Sequence, residues 1–348
     1  MGLHVVQLGP YPPPEGGISR NMLAIRDRLA VAGHRCSIVA TSRSSRIEKE
    51  QDVYHPATAW ELIQVIRGLR ANIIHLHIGG DVTPRVLSLM AAVGAVGIGK
   101  SVLTLHSGGY PETSHGRAAN RYTVRGAIFR AFKRLIAVNE MIAEVFKRYG
   151  VKESKVRLIS PFSCTRPDNS LQLPDHISAF CAEHAPLLAA VGGLEKDYDP
   201  LFLINSIAAI KKRYPSAGLV IVGGGSMHDE VQRTVDQNGS AENVLIASDV
   251  PHAITLKLME RVDMMLRTTL FDGDAISVRE ALFLGTPVIA SDNGMRPSGV
   301  RLLSERTAEE LINAIDDCLL QGRSSGSGDA DFRNIDEVVR LYEGIAVR

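Results

Sequence analysis

Residues 266–291 read LRTTLFDGDAISVREALFLGTPVIAS, and the order of apolar, polar and glycine residues in them indicates the class of fold. An apolar strand ends near Arg267, an acidic glycine loop follows, a helix begins near Ala275, and a second apolar strand begins after Gly285. A strand, a helix and a strand in this order predict two parallel strands joined by a crossover helix. The stretch therefore indicates a parallel sheet that is covered by helices.

The same alternation of short apolar runs and longer helical segments continues through the chain. In the first half it predicts strands at Leu3–Leu8, Cys36–Ala40, Ile73–His77, Ser101–His106, Leu135–Val138 and Val156–Ile159. In the second half it predicts strands at Leu187–Val191, Gly218–Val222, Val244–Ile246, Asp263–Arg267 and Pro287–Ala290. The two series predict an α/β protein with two Rossmann-like parallel-sheet domains that face a cleft.

A polar stretch with three prolines separates the two series and predicts a hinge at residues 166–186. The N-terminal domain is then expected at 1–165 and the C-terminal domain at 187–322. An amphipathic helix within 329–348 is expected to pack back on the first domain. Ligands of open α/β folds bind beyond the carboxyl ends of the strands, so the site is expected in the cleft.

Composition and charge exclude several classes of protein. The chain has 348 residues, 45% of them hydrophobic, and a formal net charge of +1, which argues against a dedicated nucleic-acid binder. Lys and Arg outnumber Asp and Glu by 23 to 11 through Arg166, and the ratio reverses to 16 against 27 afterwards. The four cysteines show no disulfide or metal spacing, and neither an export signal nor an apolar span is evident. These features predict a cytoplasmic protein whose first half faces an anionic partner.

The segment from Gly116 to Arg134 is the candidate for that anionic contact. It contains apolar and aromatic side chains, no acidic residue, and the six cations Arg117, Arg121, Arg125, Arg130, Lys133 and Arg134. A basic helix with an apolar face can lie on an anionic membrane surface. The alternative is an ordinary helix whose apolar stripe packs on the sheet while its arginines meet water.

Two features of the first half suggest ligand contacts. Gly16 and Gly17 stand between the first strand and the first helix, where backbone N–H groups and the helix N-terminus favour phosphate or sugar oxygens. His106 ends a strand beside a glycine loop, a position that suits hydrogen bonding to a sugar hydroxyl. The alternatives are a tight turn at the glycines and a structural histidine, the role we expect for His75 and His77.

Two carboxylates in the second half suggest a further contact. Asp272 lies on the loop after a strand, and Glu280 lies on the helix that follows. A carboxylate accepts hydrogen bonds from neighbouring sugar hydroxyls, and the helix start can hold phosphates. Asp272 and Asp274 also match a three-residue metal motif, but this match is weak, and we expect no metal site.

The order of these motifs resembles the GT-B fold, retaining nucleotide-sugar glycosyltransferases of glycosyltransferase family 4. The strongest element is Asp272 to Ala290, which is similar to an acid-x7-Glu motif followed by Glu-Ala-hydrophobic-x-x-Gly-x-Pro-Val. Further matches are Pro10–Gly17, Leu29–His34, Leu103–Ser107, Val138–Gly150, Val156–Phe162 and Val222–Gly225.

The resemblance implies a role for each site residue. Glu280 would hold the ribose hydroxyls, Asp272 would lie near the transferred sugar, and His106 would contact that sugar from the other domain. The donor-binding set implied by the resemblance, apart from Glu280, is Gly16, Gly17, Gly193, Lys196, Arg267, Gly273, Asp274, Ala275, Ile276 and Ser277.

The chain departs from the family pattern in the loop that usually carries an Arg and a Lys to clamp the diphosphate. Gly193 stands at the Arg position and Asp197 at the Lys position. We expect the compensating cation to be Lys196, after a one-residue shift, or one of Arg267, Arg279 and Arg296. At position 272, Asp replaces Glu and shortens the reach by one methylene.

The resemblance implies a retaining, metal-independent transfer without a cofactor. A hexose or N-acetylhexosamine would move from a nucleoside-diphosphate sugar, bound by the second domain, to an acceptor hydroxyl at the first. The acceptor implied is a lipid-diphosphate-linked sugar or polysaccharide precursor of bacterial surface glycans, met at the cytoplasmic face of the membrane. A nucleotide-sugar 2-epimerase of the same fold and a non-catalytic sugar-nucleotide sensor are the alternatives.

Overall fold

The computed structural model of the protein describes residues 2–11, 16–41, 50–270 and 275–347. The chain divides into two units, the first formed by Met1–Ser163 with Phe332–Arg348 and the second by Cys164–Asp331. None of the helices within the described ranges combines the length and the apolar character that crossing a bilayer requires.

The first unit is built on one parallel sheet. Its strands are β1 (His4–Gly9), β2 (Arg35–Ala40), β3 (Val53–Tyr54), β4 (Ile73–Ile78), β5 (Ser101–Leu105), β6 (Arg134–Ala137) and β7 (Val156–Leu158). Its helices before the chain leaves the unit are α1 (Gly17–Val31), α2 (Ala59–Gly68), α3 (Pro84–Val96), α4 (Ser114–Arg117), α5 (Val124–Ala131) and α6 (Glu140–Arg148). The strand order is β3-β2-β1-β4-β5-β6-β7.

The second unit repeats this architecture. Its strands are β8 (Cys164–Thr165), β9 (Leu187–Val191), β10 (Gly218–Val222), β11 (Val244–Ser248), β12 (Met264–Arg267), β13 (Val288–Ser291), β14 (Val300–Leu303) and β15 (Ala330–Asp331). Its helices are α7 (Asp175–Glu183), α8 (Pro200–Arg213), α9 (His228–Gln237), α10 (His252–Arg261), α11 (Ile276–Phe283) and α12 (Ala308–Gln321). The parallel sheet has the order β11-β10-β9-β12-β13-β14, and β8 pairs antiparallel with β15.

The last helix, α13 (Arg333–Ala346), belongs to the first unit. Its buried face includes Tyr342 and Ile345, which share an apolar cluster with Val5 and Ile73 of the sheet. Arg28 on α1 donates from Nη2 to Asp336 Oδ2 at 3.1 Å. Burial of one helical stripe and an ion pair therefore hold α13 to this unit.

Each predicted strand is present with ends shifted by no more than two residues, and the prediction of two parallel-sheet α/β units is confirmed. Strands of sheets covered on both faces read as continuous apolar runs, which makes them visible in the sequence. The strands β3, β8, β14 and β15 were not predicted. Three of them have only two residues, and β14 exposes Arg301 and Leu302, so no apolar run marks them.

The predicted hinge, 166–186, differs from the structure because it contains α7 and belongs to the second unit. Ile177, Phe180 and Cys181 recur at helical spacing and pack on the second sheet with Leu187 and Ala189. The prolines led to the prediction of a linker, but Pro174 directly precedes the first turn of this helix, where proline is tolerated.

The predicted basic helix from Gly116 to Arg134 is wrong as a single helix. It divides into α4, a non-helical connection and α5, and Arg134 begins β6. Phe129 and Phe132 are fully buried in the core, whereas Tyr122 and Val124 are 85% and 72% exposed. The apolar residues of this segment therefore do not share one face: some pack in the core and others face solvent.

Candidate functional site

A pocket in the second unit lies at the carboxyl ends of β9 and β12. The chain runs from β9 to one side of the sheet and returns through β12 on the other, which is the position where open α/β sheets bind ligands. The pocket is lined by Gly192, Gly193, Tyr198, Arg267 and Thr268 among others. Both the predicted donor residues Gly193 and Arg267 therefore contribute to it.

Arg267 is buried at the wall of this pocket. Only 7% of the residue is exposed, its Nη1 donates to Val191 O at 2.5 Å, and its guanidinium lies 4.7 Å from the centre of the Tyr198 ring. A Cβ at Gly192 would lie 2.3 Å from Nη1, so only glycine leaves space for the arginine in this position. The buried cation makes the pocket attractive to an anion.

Thr268 adds a polar group without a partner. It is 2% exposed, and within the described ranges its Oγ1 makes no hydrogen bond. A buried hydroxyl without a partner is costly and is commonly satisfied by water or a ligand.

The loop after β9 is held by glycines of the loop after β10. Leu194 donates from its backbone N–H to Gly224 O at 2.9 Å, and a Cβ at Gly225 would lie 2.4 Å from Leu194 O. A Cβ at Gly223 would likewise lie 2.1 Å from Gly192 O, so close backbone packing requires glycine at both positions and holds the loop that lines the pocket.

The other candidate cations lie in different surroundings. Lys196 is exposed at the start of a 3-10 turn, and Arg279 is half-buried on α11. Arg296 donates from Nη2 to Thr269 Oγ1 at 2.9 Å and from Nε to Ser291 O at 3.1 Å. Of the four candidates, Arg267 is the cation that lines the pocket.

Glu280 lies on the buried side of α11 and is 4% exposed. Its Oε1 is 2.7 Å from Nε2 of His252, the first residue of α10. A carboxylate only accepts hydrogen bonds, so His252 donates from Nε2. No other group of the described residues hydrogen-bonds Oε2 of Glu280, which leaves that oxygen able to accept from a ligand.

The predicted residues Asp272, Gly273 and Asp274 lie outside the described residues. Ala275 is buried, and Ile276 and Ser277 are half-buried in the first turn of α11. Val278 and Arg279 already donate to Ala275 O, so the earlier N–H groups of α11 are those that helix geometry leaves without an intrahelical acceptor.

In the first unit, the start of α1 lies at the carboxyl edge of the sheet. Gly16 precedes α1 with extended backbone, and both Gly16 and Gly17 are exposed. A Cβ at Gly79, directly after β4, would lie 2.3 Å from Ile18 Cδ1. This close approach places the N-terminus of α1 against the end of β4.

His106 follows β5 at the same edge, where its N–H donates to Ile78 O at 2.7 Å. Its Nε2 is 3.1 Å from Nδ1 of His77, which lies on β4. Burial lowers the pKa of His106 to about 3, so the ring is neutral at neutral pH. The structure therefore places a neutral imidazole at the carboxyl edge of the first sheet.

The predicted membrane residues have different partners. Arg125 donates to Val82 O at 2.6 Å, and Arg130 donates to Tyr149 O at 2.6 Å and to Arg121 O at 2.7 Å. Lys133 and Arg134 are half-buried. Only Arg117 and Arg121 of the six are exposed, so the predicted basic face is limited to these two cations beside Tyr122 and Val124.

Sequence reasoning missed His252, Gln7 and a contact role for His77. His252 lies 28 residues before Glu280 on a different helix, and neither position marks the other in the sequence. Gln7 is a fully buried polar residue in an apolar strand, and this interruption was the one available signal.

Two family models match the chain. The Glycosyltransferase Family 4 model matches residues 15–162, and the Glycosyl transferases group 1 model matches residues 185–321. A curated relative, Glycosyltransferase 1 domain-containing protein 1 of Xenopus tropicalis, is 22% identical over 287 residues, which cover 79% of this chain and 75% of that protein.

Solved structures share the fold. HepE of Anabaena in complex with UDP-glucose has a TM-score of 0.68 and 16% identity, over 99% of this chain and 98% of that one. WaaG, a glycosyltransferase involved in lipopolysaccharide biosynthesis, has a TM-score of 0.63 and 16% identity, over 98% and 94%. With the two family models spanning most of the sequence, the chain is a glycosyltransferase that belongs to the GT-B, family 4 and group 1 glycosyltransferases.

Proposed function

We propose that this glycosyltransferase transfers a hexose or N-acetylhexosamine from a nucleoside-diphosphate sugar to an acceptor hydroxyl, with retention at the anomeric carbon. The observation that carries the proposal is the buried Arg267 guanidinium in the glycine-lined pocket of the second unit. A buried cation beside the glycine backbone of the pocket suits a diphosphate, because charge-assisted hydrogen bonds strengthen when water is excluded.

Arg267 then takes over the task of the missing Arg and Lys of the family loop. Its guanidinium and the first-turn N–H groups of α11, at Ala275, Ile276 and Ser277, would stabilise the departing diphosphate. Glu280 would accept hydrogen bonds from the ribose hydroxyls at Oε2, while His252 holds Oε1. Two oxygens with separate partners let one carboxylate be oriented by the protein and still bind a ligand.

The transferred sugar would meet Asp272, with Gly273 and Asp274 beside it, and His106 of the first unit, as the family resemblance implies. Gly16 and Gly17 would contact phosphate oxygens. The departing diphosphate would help to deprotonate the acceptor hydroxyl, so the reaction would need neither a metal nor a cofactor.

The acceptor would be a lipid-linked or polysaccharide precursor in bacterial surface glycan assembly, met at the inner face of the membrane. Arg117 and Arg121 with the exposed side chains of Tyr122 and Val124 support this part of the proposal. Cations and an exposed aromatic side chain together suit an anionic interface.

The donor is tested by calorimetric titration with UDP, GDP, ADP, dTDP and their common sugar conjugates. One base is expected to bind selectively, and a lipid-linked acceptor is then expected to receive the sugar with unchanged anomeric configuration by NMR. Binding without transfer to any acceptor would favour the sensor. Interconversion of the donor with its 2-epimer would favour the epimerase, and no binding by any nucleotide would contradict the donor site.

The membrane contact is tested by sedimentation with phosphatidylglycerol and phosphatidylcholine vesicles. Combining Arg117→Gln, Arg121→Gln and Tyr122→Ser is expected to weaken binding to the anionic vesicles about 30-fold, since each cation near a surface contributes about 1 kcal/mol. Arg35→Gln with Arg67→Gln removes two exposed cations elsewhere in the same unit and is the matched control. Equal losses in both variants would mean that net charge, rather than this surface, determines the binding.

A further inference from the structure

Three polar side chains form a hydrogen-bonded chain across neighbouring strands of the first sheet. Gln7 lies on β1, His77 on β4, and His106 directly after β5. Gln7 Oε1 is 3.0 Å from His77 Nε2, and His77 Nδ1 is 3.1 Å from His106 Nε2. Gln7 is completely buried and His77 is 3% exposed, so bulk water does not compete for these hydrogen bonds.

The orientation of the Gln7 amide follows from its other partners. One amide atom lies 2.9 Å from Met22 O and 3.2 Å from Cys36 Sγ. A carbonyl oxygen only accepts, so the atom that faces Met22 O is the nitrogen Nε2. The atom that faces His77 is therefore the oxygen Oε1, which also only accepts.

This orientation determines where the protons of both histidines lie. His77 must donate to Gln7 from Nε2, and in a neutral ring its Nδ1 then accepts. His106 must in turn donate from Nε2 to His77. A neutral His106 consequently carries its proton on Nε2 and presents a lone pair at Nδ1, which no other group of the described residues hydrogen-bonds.

The charge state of the rings agrees with this arrangement. Burial lowers the pKa of His77 well below its usual value, the neighbouring His75 and His106 lower it further, and the pKa of His106 is lowered to about 3. Burial also raises the pKa of the Cys36 thiol to about 11, so no charged sulfur is present beside Gln7. Both rings are neutral at neutral pH, as the proton assignment requires.

We propose that Gln7 and His77 are positioning residues that hold His106 as the Nε2–H tautomer, so that His106 Nδ1 accepts a hydrogen bond from a hydroxyl of the sugar substrate. The identity of the ligand as a sugar rests on the proposed function, whereas the tautomer does not. A lone pair at Nδ1 favours a group that donates, such as a hydroxyl, and disfavours a carboxylate or phosphate oxygen, which only accepts.

The tautomer is measured directly on the ligand-free protein by long-range proton–nitrogen NMR with nitrogen-15 histidine. His106→Asn assigns the His106 signals. The expected pattern is a protonated Nε2 and an unprotonated Nδ1 for both His77 and His106 at neutral pH. A His106 ring protonated at Nδ1, or at both nitrogens, would overturn the proposal.

Variants of Gln7 test whether this residue sets the His106 tautomer through His77. Gln7→Met removes the acceptor, so we expect a substantial Nδ1–H population at His106. Gln7→Glu is the conservative variant, because a buried carboxyl group can donate to Met22 O and accept from His77, and it is expected to retain the wild-type pattern. Thr104→Val is the matched control: Thr104 is also buried, on β5, but among the described residues its hydroxyl hydrogen-bonds His75 alone, at 2.7 Å. An unchanged His106 signal in Gln7→Met would show that Gln7 does not act through His77.

The ligand part is tested by calorimetry with the selected donor and its monodeoxy sugar analogues. Wild type is expected to lose about fivefold to tenfold in affinity for the one analogue that lacks the contacted hydroxyl, and Gln7→Met is expected to lose that preference. The confirmed tautomer with equal affinities for all analogues would overturn the hydroxyl contact. No donor binding at all would contradict the proposed function and leave the tautomer result intact.

Discussion

The carboxyl edge of the first sheet carries neutral hydrogen-bonding groups, whereas the carboxyl edge of the second carries ions. His106 and His77 are uncharged because burial lowers their pKa values, and they orient one another through hydrogen bonds. Arg267 in the second unit is a buried cation. Neutral groups with fixed donor and acceptor directions suit hydroxyls, and a buried ion suits the opposite charge, so we expect the two units to recognise different parts of the substrates.

The comparison also separates the charge of a unit from the charge of its site. Basic residues dominate the first half of the sequence, and yet its best-defined cluster is neutral. Acidic residues dominate the second half, and yet its pocket contains Arg267. Surface charge is screened within about 10 Å at 0.1 M salt, so we expect a buried group such as Arg267 to act on a bound ligand more strongly than the net charge of its unit.

The largest expected effect comes from removing the carboxylate of the second unit. Glu280→Gln keeps an acceptor for His252 but loses the negative charge that would hold the ribose hydroxyls. We expect kcat/KM for the donor to fall about 100-fold, because hydrogen bonds to charged groups contribute about 1.5 to 3 kcal/mol. Steady-state kinetics measure it, and Glu183→Gln, on α7, is the control. Wild-type kinetics in Glu280→Gln would remove Glu280 from the donor site.

Replacing the buried cation tests the second unit further. Arg267→Met is expected to weaken nucleoside-diphosphate binding about 10- to 100-fold in calorimetry, and Arg267→Lys, which keeps a charge, is expected to lose less. Gly192→Ala should reproduce part of the loss, because its Cβ would displace Nη1. Arg213→Gln removes an exposed arginine of the same unit and is the control. If Arg267→Met and wild type bind the nucleoside diphosphate with equal affinity, a cation other than Arg267 holds the diphosphate.

Acidification tests the neutral cluster of the first unit. Burial lowers the pKa values of His75 and His77 well below the ordinary 6.5, so the unfolded chain binds more protons between pH 6.5 and the folded values. Their stabilising contribution is therefore complete above pH 6.5 and is lost as the pH falls. At pH 5 each of these two histidines is expected to lower the free energy of unfolding by about 2 kcal/mol relative to neutral pH.

Denaturant unfolding at pH 7.5 and pH 5 measures this effect. His77→Gln removes one titrating ring, so its stability should depend less on pH than that of wild type. The same pH dependence in both proteins would show that His77 is not a buried neutral group.

The smallest expected effect is that of a chelator. We expect EDTA to leave the transfer rate unchanged, because Arg267 and the start of α11 would supply the positive charge that a divalent cation would otherwise provide. Activity is compared before and after dialysis against EDTA, with magnesium or manganese added back. If activity disappears on dialysis and returns with the metal, a divalent metal ion rather than Arg267 holds the diphosphate.

Much of the fold could be predicted because strands that are covered on both faces are apolar along their whole length. The strand β14 could not be predicted in this way, because its exposed Arg301 and Leu302 interrupt any continuous apolar run. The segment 116–134 predicts one basic helix with an apolar face, because cations and apolar residues are interleaved in it and no acidic residue is present. Only the core shows that Phe129 faces inward, while Tyr122 faces solvent on a different element.

The candidate site divides in the same way. Arg267 and His106 could be placed at the carboxyl edge of a parallel sheet because each stands where a predicted strand ends, and Glu280 could be placed on the helix that follows the next loop. Their contacts with a ligand stay predictions. His252 could not be predicted as the partner of Glu280, since the two residues meet only when α10 and α11 pack together.

The amino-acid sequence is enough to predict the α/β alternation, the division into two parallel-sheet units and the family motif from Asp272 to Ala290, because these depend on the spacing of residues close in the chain. The folded chain was needed to show that Arg267 lines the pocket and that Gln7, His77 and His106 form one chain of hydrogen bonds. Such contacts join strands that are 29 to 70 residues apart. Proton positions and buried charges depend on all partners of a group at once, and those partners meet only in the folded sheet.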